Sequence, residues 1–437
     1  MRPLPPGPRN RLLYATRYAR DPFGWSLRWL ERYGDPYTAP TLLGPQVVTA
    51  DPAVVETILG ADPDVFDVVG AELLAPVLGA ASLILLTGER HRAARKLLAP
   101  PFHRASLATL AGPIVELARG RLAELPRDRA VDIQDTMRAI GSDVIVRVVF
   151  GVTDPTAARA LTAELLALVE TLRPSFMFMP VLRHRFAGLG PWARFQRACE
   201  RSQTLIGELI AARRARGAGA EPAGSPDILD LLLGARWADG AAMTERELWE
   251  QLMTMFMAGH DTTASSLAWA VQLVHRDPAI LARLRDEVAG ADAAALAEAP
   301  YLEAVCHETL RLCPIAPYFA RALRQPFPVA GVEVPAGVGV GIATIGIHRR
   351  PDVYPDPERF DPERFLGRRY SPAQFLPFGG GARRCLGAAL AMLELRLILG
   401  TLLQGPPLRL TGDGAIRATV RNTTVGPRGG VGVAYAA

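Results

Sequence analysis

Between Leu252 and Val274 the sequence is apolar on nearly every face of a helix, a pattern that requires burial on all sides. Thr244 and Glu247 form a capping-box pattern ahead of it, helical periodicity runs to Arg276, and Pro278 stops it. At about 1.5 Å per residue, the spacing predicts one helix over Thr244–Arg276, roughly 50 Å long and able to cross a whole domain. Other helices must pack around such an element. Its middle carries Gly259, Asp261, Thr262 and Thr263, and a buried carboxylate is unfavourable there unless something requires it.

Most of the rest also reads helical. Leu161–Leu172, Ala198–Arg213, Pro278–Val288 and Leu386–Gln404 carry apolar residues at helical spacing. Pro40–Ala50 and Phe327–Ile347 have the composition of short strands, and Arg214–Ser225 reads as a small-residue surface loop. The predicted class is mainly α with minor β. No repeat or interdomain linker divides the chain, so residues 1–437 are expected to form a single large helical domain. With 49% hydrophobic and 21% charged residues, disorder is excluded and a sizeable core is expected.

The formal charge is +5, and the basic residues are arginines spread along the chain, Lys96 being the only lysine, so no nucleic-acid partner is expected. No apolar run suits a signal peptide or the roughly 20-residue span of a bilayer helix. The expectation is a cytoplasmic protein without a membrane span. Four cysteines (Cys199, Cys306, Cys313 and Cys385) show no C-x-x-C spacing, which fits a reduced compartment.

One cysteine has a distinctive setting. The run Phe378, Gly379, Gly380, Gly381, Ala382, Arg383, Arg384, Cys385, Leu386, Gly387 leads directly into a predicted helix. A helix N-terminus and adjacent arginines both favour a thiolate. Glycines let backbone approach a flat ligand closely, and an aromatic ring such as Phe378 can shield the sulfur.

This run resembles the haem-binding loop of the cytochrome P-450 family, the haem-thiolate monooxygenases. Its pattern F-x-x-G-x-R-x-C-x-G is met at Phe378, Gly381, Arg383, Cys385 and Gly387. The resemblance implies haem b (iron protoporphyrin IX), Cys385 as axial iron ligand and Arg383 as a propionate partner, within a fold whose long central helix lies over the haem. Three further motifs stand in the family's order. Ala258, Gly259, His260, Asp261, Thr262 and Thr263 match A-G-x-[DE]-T-T, implying proton delivery by Asp261 and stabilisation of reduced dioxygen by Thr262. Glu308 and Arg311 match E-x-x-R, and Arg364, in Phe360–Phe365, matches the family's meander arginine; these three are implied to be a buried structural triad.

His91 and Arg95, one helical turn apart, together with Arg321 and His348, match the family's remaining propionate positions. His91 is a departure, standing where many members carry tryptophan. The resemblance is strong from Leu248 onward and weak in Ala61–Leu86 and Thr171–Trp192, where the family places its substrate-contacting loops. Phe176, Phe178, Phe256, Ala258, Ile315, Ala316 and Thr424 are the implied pocket-lining residues, and they suit an apolar small molecule.

The leading reading is a soluble bacterial-type monooxygenase using O2, with a terpenoid or fatty acid favoured as substrate. Electrons would come from a ferredoxin or flavodoxin with its NAD(P)H-dependent reductase, met by arginines such as Arg384 and Arg92. A monomer is expected. A peroxide-driven peroxygenase or isomerase, and a non-catalytic haem sensor, are the competing readings; both leave Asp261 and Thr262 unexplained.

Overall fold

Side-chain caps and prolines set where the helices of this chain begin. The computed structural model describes residues 3–172, 176, 180–183, 188–215, 227–237, 239–412, 415–421 and 424–436. Asn10 accepts the N–H groups of Leu12 and Leu13 at the head of α1 (Arg11–Arg20). Asp21 caps α2 (Pro22–Tyr33), which opens on proline, where the missing N–H is no loss. There follow β1 (Tyr37–Thr41), β2 (Gly44–Thr49), β3 (Phe66–Asp67), α3 (Gly88–Leu98), α4 (Pro155–Thr171) and α5 (Pro191–Ala215). Next come α6 (Glu245–His260), α7 (Thr262–Val274), α8 (Pro300–Leu312), β4 (Phe319–Leu323), β5 (Gly339–Ile342), α9 (Ala388–Gln404), β6 (Ala418–Arg421) and β7 (Thr424–Pro427). The class is mainly α with small sheets, as the periodicity indicates.

Two compact units are formed, one by Met1–Val69, Leu110–Arg138 and Thr262–Ala437, the other by Gly70–Thr109 and Ala139–Asp261. In the first, a five-stranded sheet has the order β1-β2-β5-β4-β3. β2 and β5 pair in parallel, with Val47 opposite Val340, and the other pairs are antiparallel. Tyr14, Trp29, Val47, Val48, Ile58, Val340, Ile342 and Leu376 form one core around it. A second cluster gathers Phe23, Trp269, Leu273, Leu312, Ile315 and Val425. The Pro40–Ala50 segment is thus a hairpin edge plus a strand buried by its parallel neighbour.

In the second unit, α6 binds the loop that follows the helix Ala71–Leu78. Glu250 Oε2 accepts the Ala81 N–H at 2.8 Å, Gln251 Oε1 accepts that of Leu83 at 3.2 Å, and Thr254 Oγ1 donates to Ser82 Oγ at 2.8 Å. The first two satisfy buried loop N–H groups that would otherwise be orphaned.

The predicted single helix over Thr244–Arg276 is instead two. The capping box forms as expected, with Glu247 N–H donating to Thr244 Oγ1 at 3.2 Å and Thr244 N–H to Glu247 Oε2 at 2.9 Å. Regular helix then stops at His260 and restarts at Thr262. The cause is local: His260 Nδ1 lies 3.1 Å from the Met257 carbonyl, the group that a continuous helix would give to the Asp261 N–H.

Candidate active site

The loop before α9 is shaped by its glycines. Gly379 and Gly381 have φ of +64° and +63°, the left-handed region that side chains disfavour. Gly380 is held by proximity instead, since a Cβ there would lie 2.5 Å from Leu59 Cδ1. The Cys385 N–H donates to the Phe378 carbonyl at 2.9 Å and that of Arg384 to Gly381 at 3.1 Å, closing the loop on itself. Gly387 caps α9, and Cys385, two residues earlier, is exposed. Cys306 and Cys313 are buried and Cys199 is half-buried, and burial pushes each of these thiols up to about 12. Of the four cysteines, Cys385 is therefore the exposed one.

Arg321, on β4, reaches this loop: its Nη2 donates to the Gly380 carbonyl at 2.9 Å and its guanidinium lies 5.1 Å from the Phe66 ring. The residue is 8% exposed. Burial, and then the positive charge of Arg383, push its guanidinium down to about 10. Among the described residues no carboxylate pairs with it. A buried cation beside a second cation calls for an anion. The accessible thiol, the side-chain-free Gly379–Gly381 backbone and this uncompensated guanidinium fit a flat, anionic, thiolate-ligated group such as haem. Cys385 would ligate its iron, Arg321 and Arg383 would hold a propionate, and Phe378 and Gly387, at the two ends of the loop, would flank it.

Beneath the loop lies a buried ionic network. Arg311 donates to Glu308 through Nε at 2.6 Å and Nη2 at 2.7 Å, and neither residue is exposed. Its remaining donors take the carbonyls of His348 at 2.7 Å, Pro357 at 2.8 Å and Arg359 at 3.1 Å. Arg364 Nε adds a 3.3 Å contact to Glu308 Oε1, which also accepts the Asp361 N–H at 2.8 Å. So the triad is assembled, and its spare donors hold the meander backbone. Such full satisfaction is what makes a buried ion pair tolerable.

His348 is a correction to the sequence reading. Expected as a propionate partner, it is fully buried with both ring nitrogens engaged: Nδ1 donates to the Arg311 carbonyl at 3.1 Å and Nε2 accepts the Leu376 N–H at 3.2 Å. Burial and the Arg311 charge push its imidazole down to about 3, so it is neutral. A neutral ring without a spare donor cannot hold a carboxylate. His348 instead ties the end of α8 to the backbone two residues ahead of Phe378.

The α6–α7 junction is the accessible stretch of two otherwise buried helices. Leu248–Phe256 and Thr263–Val274 are buried throughout, whereas Ala258 is exposed and Gly259, Asp261 and Thr262 are half-buried. Gly259 is needed for packing, because a Cβ there would lie 2.4 Å from Ile145 Cδ1. Ser266 Oγ donates to the Thr262 carbonyl at 3.0 Å. Asp261 and Thr262 are thus each partly accessible, the first at the end of α6 and the second at the start of α7. His91, buried, and Arg95, half-buried, share a face of α3 in the second unit.

The pocket candidates divide. Ile315, Ala316 and Thr424 are gathered in the first unit, where the Val425 N–H of β7 donates to the Ile315 carbonyl at 3.0 Å; Ala316 is exposed and Thr424 half-buried. Two aromatic expectations are corrected. Phe176, 1% exposed, meets Trp192 edge-on at 5.2 Å and Phe195 at 6.1 Å, so it is core. Phe256 is fully buried and stacks on His260 with centroids 5.3 Å apart. Phe178 lies outside the described residues.

Sequence reasoning missed the small apolar cavity of the second unit, lined by Val77, Leu168, Phe195, Trp249, Met253 and Met257 among others. The i, i+4, i+8 spacing of Trp249, Met253 and Met257 was the available signal. Glu394 of α9 was also missed. It is 1% exposed, Thr263 donates to it, its Oε1 has no partner, and burial pushes its carboxyl up to about 8.

A family model described as Cytochrome P450 matches residues 3–412. Among curated relatives, "Putative cytochrome P450 135B1" of Mycobacterium bovis is 38% identical, covering 98% of this chain and 90% of its own. "Putative cytochrome P450 137" of Mycobacterium tuberculosis is 34% identical, covering 97% and 87%. Of solved structures, retinoic acid bound cyanobacterial CYP120A1 superposes with a TM-score of 0.84 at 25% identity, covering 99% of both chains. A cytochrome P450DA heme domain gives a TM-score of 0.85 at 21% identity, a likeness of fold.

Proposed function

The chain belongs to the cytochrome P450 family, the haem-thiolate monooxygenases, and from that premise we propose that it oxidises an apolar small molecule, a terpenoid or a fatty acid being favoured. Bound haem b supplies the activation of O2 and the transfer of one oxygen atom. The chain's residues supply the rest. Cys385 would give the thiolate, while Arg321 and Arg383 would neutralise a propionate; His91 and Arg95 are assigned the same duty.

Asp261 and Thr262 divide the proton work. A carboxylate at an open break in a helix can exchange protons with water, and the adjacent hydroxyl can hold a proton at its Oγ1. The substrate class rests on apolar walls. Ile315 and Val425 stand beside Ala316 and Thr424 in the first unit, and the second unit's cavity is lined by aliphatic, aromatic and thioether side chains. One structural relative binds retinoic acid, an apolar isoprenoid acid, which favours the same chemistry here. Electrons are assigned to a separate ferredoxin or flavodoxin and its reductase. Exposed Arg384, beside Cys385, suits an acidic carrier.

The observation that carries this reading is the accessible Cys385 thiol on a glycine loop clamped by a buried, carboxylate-free Arg321. It is tested by coupling. Thr262→Ala is expected to keep substrate-induced spectral shifts while diverting electrons from product to peroxide; unchanged coupling would remove Thr262 from its role.

A further inference from the structure

Five arginines and no acidic residue occupy positions 1–20: Arg2, Arg9, Arg11, Arg17 and Arg20. The other 44 basic residues are matched by 44 acidic ones, so the formal charge of +5 is the charge of this segment. Its described part is not a loose tail. Thr38 of β1 donates through its N–H to the Pro6 carbonyl at 3.0 Å and through Oγ1 to that of Pro5 at 2.7 Å. α1 is then seated by Tyr14, which stacks on Trp29 with centroids 3.9 Å apart.

The opposite face of α1 is open. Leu12, Leu13, Thr16 and Arg20 are exposed, as are Arg11 in the first turn of the helix and Arg9 just before it. Leu12 and Leu13, at 65% and 46% exposure, are the only adjacent pair among the large exposed hydrophobic residues described. Arg17 lies over the Trp25 ring at 4.4 Å. Among the described residues none of these arginines pairs with a carboxylate. Asp21, the nearest acid in sequence, is occupied in capping α2 and facing Arg28 at 3.7 Å.

We propose that this face of α1 docks on an anionic lipid surface. Two observations select a bilayer over an acidic protein. The cationic charge is concentrated and unneutralised, and it flanks a pair of leucines that a headgroup region accepts and a hydrated acidic surface does not. Tethering of Pro5 and Pro6 to β1 holds the arginines in place, so little ordering is needed on contact. No helix among the described residues is long and apolar enough to cross a membrane, so the attachment is peripheral and reversible. An apolar substrate dissolved in the bilayer would then reach the enzyme from the lipid.

The test is sedimentation of the full-length, haem-loaded protein with vesicles of phosphatidylcholine alone and of phosphatidylcholine mixed with phosphatidylglycerol. Binding is expected to the mixed vesicles only. Arg9→Gln, Arg11→Gln and Arg20→Gln together should weaken it about a hundredfold, near fivefold per arginine, and Leu12→Ser with Leu13→Ser roughly tenfold. The carbon monoxide difference spectrum should be unchanged in both variants, which separates this proposal from the monooxygenase reading. It is overturned by equal binding to both vesicle types, by no binding, or by arginine dependence without leucine dependence, the signature of an acidic protein or polymer surface.

Discussion

The scaffold under the Cys385 loop and the cavity of the second unit are both buried, yet they are built from opposite chemistry. Around Glu308, Arg311, Arg364 and His348 the charged and polar groups are met by directed hydrogen bonds, from 2.6 Å for Arg311 Nε on Glu308 to 3.3 Å for Arg364 Nε. Around Trp249, Met253 and Met257 the wall is made of apolar side chains, the Trp249 indole N–H being met by Ser202 Oγ at 3.0 Å. A charged network tolerates one residue type per position, because a missing partner strands a buried charge. An apolar wall accepts any set of side chains of similar volume. One family can therefore share the first and let the second drift toward different substrates.

The sharpest break of that comparison is Cys385→Ser. The carbon monoxide difference spectrum of the dithionite-reduced protein is expected to show a red-shifted thiolate-type band in the parent and to lose it in the variant. A band retained in the serine variant would exclude Cys385 as ligand.

Next in size is Arg311→Met, which strips buried Glu308 of its two shortest charge-assisted bonds, leaves it only the 3.3 Å contact from Arg364 and the Asp361 N–H, and should lower unfolding free energy by about 3–5 kcal/mol. Arg364→Met should have a smaller effect, since Glu308 keeps both bonds from Arg311. Denaturant midpoints rank the two, and an equal or reversed order would show that the triad is not organised around Arg311.

His348 of the network and Glu394 of α9 give two oppositely signed pH responses. His348 is pushed below its ordinary range to about 3, so its contribution is full above pH 6.5 and is lost as pH falls toward 3. Glu394 is pushed up to about 8, so its contribution is full below pH 4.5 and is lost as pH rises through 8. Glu394→Gln should therefore abolish part of the decline between pH 4.5 and 8, a difference of a few kcal/mol at most. Stability curves that stay parallel across that window would contradict a protonated Glu394.

The smallest effect belongs to the apolar wall. Met253→Leu should change stability by less than about 1.5 kcal/mol and leave the thiolate band untouched, while altering which apolar ligands produce a spectral shift. Loss of the band would mean that the wall supports the haem site after all.

The same contrast explains what was legible in the sequence. The ionic triad, the cysteine loop and the capping box of α6 depend on particular functional groups at fixed spacing, so their residues could be named in advance. Their secondary partners could not. Nothing in the spacing of His348 tells whether its nitrogens meet a ligand or two backbone groups, and only the fold brings Leu376 to it. The break at Asp261 turns on one imidazole competing for one carbonyl, beneath the resolution of a hydrophobic pattern. Phe176 and Phe256 were assigned to the pocket because aromatic residues look alike on a core face and on a ligand face. Trp249, Met253 and Met257 lay unmarked in a helix already known to be apolar.

The unequal burial of the four cysteines has a practical consequence. Since the thiolate is the nucleophile, Cys199, Cys306 and Cys313, each held as a thiol up to about 12, react slowly with alkylating reagents near neutral pH, while exposed Cys385 is open to attack. Coordination of its sulfur would protect it. The number of labels taken up per chain then counts the molecules whose Cys385 sulfur is free, and its shortfall from one label gives the occupied fraction, an assay that needs neither colour nor turnover.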